Sequence, residues 1–127
     1  MQSNSKKSNN KETGSIGEEL AATFLTRKGY QILERNFVAG KVEIDIVAKN
    51  GNDVVFVEVK TRLNAVVEPE KAVTKSKQKN MAMAAEQFII EKQLNLPVRF
   101  DIISINFIDN KPEITHFEDA FYPFITL

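Results

Sequence analysis

The chain has 127 residues, 17 Lys+Arg against 17 Asp+Glu, a formal net charge of zero, 43% hydrophobic residues and no Cys. The length fits one domain, and the lack of Cys excludes a disulfide framework and Cys-ligated zinc. No apolar run approaches the ~20 residues that span a bilayer, and the opening MQSNSKKSNNKETG has no apolar stretch of a secretory signal, so a cytoplasmic protein without a membrane partner is expected.

Residues 1–13 are almost wholly polar and are expected to form a disordered tail, with a single domain over residues 14–127. Ser15 to Lys28 reads as a helix. Ser15 is an N-cap type, Glu18 completes a capping-box pattern, Ile16, Leu20 and Phe24 form a stripe, and Gly29 stops it. Residues 31–38 read as a first strand and Val42–Ala48 as a second. Asn50-Gly51 signals a hairpin into a third strand, Val54–Thr61. After a loop over residues 63–73, Met81, Ala84, Ala85, Phe88 and Ile89 recur at helical spacing within a helix from about Thr74 to Gln93. Phe100–Phe107 and Ile114–Phe117 are strands, joined by an Asp109-Asn110 turn. The order α-β-β-β-α-β-β predicts an α/β domain with a mixed sheet and a helix on each side.

The hairpin carries the chemistry. By alternation, Glu43 and Asp45 share one face, with Val42, Ile44 and Ile46 on the other; Glu58 and Lys60 share a face opposite three valines. A two-residue Asn50-Gly51 loop sets Glu43 opposite Glu58. A four-residue loop, Asn50 to Asp53, sets Asp45 opposite Glu58. In either register acids from neighbouring strands converge within about 5–8 Å and repel. Solvent, a Lys or a divalent cation would relieve that repulsion. Mg²⁺ takes one or two carboxylates, keeps several waters and adds phosphate oxygens, which suits this pair. An ordinary solvated hairpin face is the plain alternative. Against it, both strands look central, and Glu18 offers a third carboxylate from a helix stripe shared with Ala22 and Leu25. Glu18 has two readings that stay open, helix cap and metal-site acid.

Lys77 lies one turn before Met81, at the edge of the apolar stripe. Residues 71–80 hold Lys71, Lys75, Lys77 and Lys79 and no acid. Four cations oppose the helix dipole there, which suits a phosphate backbone partner better than a free helix end. His116, the one His, reads as structural. Ser104 has no triad partners, and Gly14-x-x-Gly17 has no preceding strand to make a phosphate loop. Arg99 and Asp101, either side of Phe100, read as an ion pair.

Several pieces fall in the order seen in one family: Gly14-x-x-Gly17-Glu18, Gly29-Tyr30, Arg35-Asn36, Glu43-Ile44-Asp45, Phe56-Val57-Glu58-Val59-Lys60-Thr61-Arg62, Lys77, Arg99-Phe100-Asp101 and Asp119-Ala120-Phe121. The chain resembles the YraN-like family, bacterial proteins predicted to be endonucleases, from Gly14 nearly to its end. That family is similar to the restriction-endonuclease-like superfamily, which includes archaeal Holliday-junction resolvases. The resemblance implies a restriction-endonuclease-like fold, a central mixed sheet flanked by helices. It implies Asp45, Glu58 and Lys60 as the core catalytic set. Asp45 and Glu58 would hold Mg²⁺ or Mn²⁺, with Glu18 as a further metal-binding acid and Glu43 in support. Val42 departs from the family, which usually has Gly there, and so bears on substrate access.

The resulting expectation is a Mg²⁺- or Mn²⁺-dependent endonuclease acting on phosphodiester bonds in DNA. Lys75, Lys77, Lys79 and Arg62 would contact the nucleic acid. The alternatives are a nucleic-acid-binding module without turnover, or an adaptor whose hairpin acids are surface charge. A homodimer is expected by analogy with junction resolvases alone. The neutral total hides an asymmetry that permits such a partner: residues 1–80 hold 14 basic and 10 acidic groups, residues 81–127 hold 3 and 7.

Overall fold

The computed structural model describes residues 2–66, 68 and 73–123, with side chains described from residue 14. Its elements are α1 (Gln2–Arg27), β1 (Gln31–Ala39), β2 (Val42–Asn50), β3 (Asp53–Leu63), α2 (Lys75–Glu91), β4 (Val98–Ile108) and β5 (Lys111–Phe117). The expected order α-β-β-β-α-β-β is therefore present. One sheet runs β1-β2-β3-β4-β5; β3 and β4 are parallel and the other neighbours antiparallel. This is the mixed sheet of a restriction-endonuclease-like domain.

Central strand β3 explains the layering. Val54 to Val57 are all fully buried, because both faces of the strand are covered. Val54 and Phe56 point to the α2 side and pack with Phe37, Met81, Ala85, Phe88 and Phe100. Edge-to-face contacts join Phe88 to Phe37 and Phe56, with centroids 5.1 and 5.7 Å apart. Val55 and Val57 point to the α1 side and pack with Ala21, Leu25, Ile46, Ile103 and Ile105. Helix α2 starts where Thr74 accepts the Lys77 backbone N–H at 3.1 Å, an N-cap bond. The Asp109-Asn110 turn has φ of 51° and 63°, the paired left-handed geometry of a tight hairpin, which Asn and Asp tolerate best.

Two expectations are corrected. Helix α1 does not start at Ser15 but runs through it, so Ser15 is no N-cap and Glu18 no capping-box partner. No Gly or Pro lies between Gln2 and Thr13 to stop the helix extending backwards. The second correction concerns alternation in β2. Ile44 packs on the α2 side and Ile46 on the α1 side, not on one face together. The partner strand β1 bends at Asn36, whose φ is 52°, and β2 changes face directly across from it. The expected tail, residues 1–13, falls outside the residues whose side chains are described. Part of the 63–73 loop, with Lys71, lies outside the description altogether.

Candidate active site

The β2–β3 ladder runs from Asn50↔Asp53 to Ile46↔Val57. This is the register that sets Asp45 opposite Glu58, tightened by one extra pair so that Gly51-Asn52 forms the turn. The ladder stops at Ile46↔Val57. One step on, the Val59 N–H is taken by the Asp45 carboxylate, with N to Oδ2 at 2.8 Å. A backbone donor that has lost its strand partner is thus satisfied by a side chain. That bond fixes the Asp45 carboxylate beside Glu58.

Glu58 is only 3% exposed. Lys77 of α2 donates to its Oε2, and Lys60 Nζ stands 3.6 Å from the same oxygen. Among the described residues no cation lies within ion-pair distance of Asp45. Burial, and then the negative charge of Glu58, push its pKa up to about 8 against the pull of the Val59 N–H; the charge of Glu18 adds to the rise. At neutral pH this carboxyl holds a proton that an ordinary Asp has lost.

A cavity of about 1000 Å³ opens over the pair. Its walls include Glu18, Glu43, Asp45, Glu58, Lys60 and Lys77, so four elements of the chain supply these six charged groups. Arg62 and the half-buried Val42 also line it. Lys75 and Lys79 do not; both are exposed on α2, while Ser76 and Asn80 from the same turns face the cavity. Among the described residues no three His, Cys, Asp or Glu side chains gather closely enough to hold a metal ion together. Glu18 therefore does not complete a three-carboxylate cluster with Asp45 and Glu58. Two carboxylates with room for waters and substrate oxygens still match the donor set Mg²⁺ takes. The raised pKa of Asp45 marks the repulsion a cation would remove.

Three supports of the site went unassigned in the sequence. Gly17 is buried against β3, and a Cβ there would overlap the Thr61 Oγ1; only Gly lets α1 come this close and bring Glu18 to the cavity. Asn36 donates from Nδ2 to Glu18 Oε1 at 3.0 Å and to Glu43 Oε1 at 3.3 Å. Buried Asn106 on β4 brackets Ala65, donating to its carbonyl at 2.6 Å and accepting its N–H at 3.1 Å, which ties down the chain leaving β3. A polar residue between Ile105 and Phe107 in β4 was the signal for Asn106.

A second charged cluster lies on the α1 side of the sheet. Asp101 is fully buried and takes two bonds from Arg99, at 2.9 and 2.8 Å, so the expected ion pair is present. It also accepts the Asp119 N–H at 2.9 Å, and His116 Nε2 lies 2.7 Å away. Lys28 Nζ is 2.8 Å from His116 Nδ1. An ammonium can only donate, so Nδ1 accepts and Nε2 carries the proton toward Asp101. Burial alone would raise the pKa of Asp101, but His116, Arg99 and the Asp119 N–H together hold it below the usual value. Arg99 further donates to the Tyr30 hydroxyl at 2.5 Å, and Tyr30 to Glu118 at 2.9 Å. His116 thus sits inside this network and does not line the cavity over Asp45 and Glu58.

Comparison with known proteins fits this picture. The model of the uncharacterised protein family UPF0102 matches residues 17–105. A UPF0102 protein of Geobacter metallireducens is 48% identical over 88% of this chain and 93% of its own length. One from Flavobacterium psychrophilum is 42% identical over 89% and 96%, and one from Thermodesulfovibrio yellowstonii 46% over 87% and 96%. The match contains Gly17, Glu18, Asn36, Asp45, Glu58, Lys60, Lys77 and Asp101. The chain belongs to UPF0102, the YraN-like family that its motifs resemble.

Proposed function

We propose that this protein is a divalent-cation-dependent endonuclease that hydrolyses phosphodiester bonds in DNA. The observation that carries the reading is the Asp45–Glu58 pair. Two carboxylates are held side by side at the floor of an open cavity, one with a raised pKa and, among the described residues, no ion-pair partner. The two acids can share this floor either because Asp45 keeps its proton or because a cation replaces that proton, and the open cavity admits a cation.

Asp45 and Glu58 would hold Mg²⁺ or Mn²⁺, with Glu18 acting from the cavity wall. When bound, the cation supplies positive charge that polarises the phosphoryl oxygen and acidifies a water. Lys60, already beside Glu58, orients the attacking water and stabilises negative charge developing on the phosphate. Lys77, which pairs with Glu58 in the free protein, would turn to a phosphate oxygen when Glu58 serves as a cation ligand. Arg62 at the cavity, with Lys75 and Lys79 outside it, holds the nucleic-acid backbone. Such contacts are electrostatic and weaken steeply with salt.

Cleavage assays on duplex, single-stranded, flap and four-way DNA, with Mg²⁺ or Mn²⁺, test this directly. Cation-dependent cleavage that Lys60→Ala abolishes is expected. Cleavage that Lys60→Ala leaves unchanged, or none with any substrate, contradicts the reading.

A further inference from the structure

We infer that Asn36 is a positioning residue for this site, acting through Glu18 and Glu43; the inference rests on the cation-site reading above. Asn36 lies in the interior of β1, not in a turn, yet its φ is 52°. Asn is among the few non-glycine residues that accept this left-handed conformation. The bend breaks the alternation of the strand. Arg35 reaches Glu19 of α1 at 2.6 Å, and the next residue, Asn36, reaches Glu18 of α1 at 3.0 Å. Two consecutive residues of a regular strand would point to opposite faces. Instead they clamp two consecutive glutamates of one helix.

The bend also acts across the sheet. The β1–β2 register pairs Arg35 with Ile46 and Phe37 with Ile44, which leaves Asn36 facing Asp45. Asp45 is the residue at which β2 changes face. Asn36 itself does not line the cavity, whereas Glu18, Glu43 and Asp45 all do. Its single amide nitrogen donates to one oxygen of each glutamate. It therefore holds two acids from different elements at a fixed spacing on the cavity wall, where each can accept from a cation-bound water. An amide fits this task because it offers two donor protons without adding charge. Partners of this kind behind metal-binding acids typically contribute ten- to a hundredfold in metal affinity.

Two variants separate the backbone role from the amide role. Asn36→Gly keeps the left-handed bend and removes the amide; Asn36→Ala removes both. Mn²⁺ affinity, by calorimetry, is measured with thermal melting for the parent, both variants, Glu18→Gln and the Asn36→Gly/Glu18→Gln double variant. The expected result is that Asn36→Gly melts close to the parent but binds Mn²⁺ about tenfold more weakly. Asn36→Ala should lose melting temperature as well. The double variant should bind no more weakly than the worse single variant, because Asn36 acts through Glu18. Parent-like Mn²⁺ affinity in Asn36→Gly, or losses that simply add in the double variant, overturns the inference and leaves the cation site standing. A parent that binds no Mn²⁺ overturns both.

Discussion

Asp45 and Asp101 sit on adjacent regions of one sheet, and the protein treats them in opposite ways. Asp101 is given everything a buried carboxylate requires: a two-pronged Arg99, the His116 Nε2–H and the Asp119 N–H. Asp45 receives one backbone N–H and the company of Glu58. One pKa is driven down and the other up to about 8. The first arrangement is closed and complete, and it ties β4, β5 and the Tyr30 segment together. The second is open to a cavity, and the nearest lysines, Lys60 and Lys77, pair with Glu58 and not with Asp45. On the proposed reading, the cation that would complete the second aspartate comes from solution.

The largest expected effect lies on the closed side. Asp101→Ala takes the shared acceptor from Arg99, His116 and the Asp119 N–H, leaving Arg99 with Glu118 at 3.3 Å and Asp53 at 3.7 Å, and should cost roughly 3 kcal/mol of stability, read as a lower midpoint in urea unfolding. It should leave the cation affinity of whatever protein remains folded unchanged. On the open side, Lys60→Ala should lower the cleavage rate by about 10²–10³-fold while the urea midpoint hardly moves.

Gly17→Ala tests how tightly α1 must approach the site. Its Cβ would overlap Thr61, and such overpacking costs roughly 1–3 kcal/mol. Because α1 must shift to relieve the overlap, cation affinity should fall along with the melting temperature. An unchanged affinity would separate Glu18 from the site.

The smallest effect sharpens the contrast by pH. The pKa of Asp45 rises from 3.8 to about 8 on folding. Its contribution is therefore full below pH 4 and is lost as pH rises toward 8, so cation-free protein should weaken over that range. Asp101 has a lowered pKa, so its contribution is present above pH 4 and lost as pH falls below that. In chelator, Asp45→Asn should flatten the decline between pH 4 and 8. Asp101→Asn should instead remove part of the acid-side loss. Urea midpoints across pH for the two variants distinguish these outcomes.

Much of this contrast was legible in the sequence. The Val-rich run of β3, the Asn-Gly turn and the helical stripe around Met81 and Phe88 are local patterns, and they gave the element order. The Asp45–Glu58 encounter followed from counting residues through a turn, with two registers open until the ladder fixed one. The start of α1 was not legible, since a polar cap signal at Ser15 competes with a helix that simply continues. Nor was the change of face in β2. One residue with positive φ, Asn36 in the neighbouring strand, reverses a period-two pattern without disturbing the pattern itself. The Asp101 network was visible only as its Arg99 pair. The Lys28–Tyr30 and His116–Asp119 segments are far from each other in the chain, and no spacing rule brings them to Asp101.

The central claim is that Asp45 and Glu58 form a cation site. Thermal melting at neutral pH, with and without Mg²⁺ or Mn²⁺, tests it most directly in the parent, Asp45→Ala and Glu58→Ala. The account predicts that the cation raises the melting temperature of the parent and leaves both variants unmoved. A parent that does not respond, or variants that respond as the parent does, would contradict it.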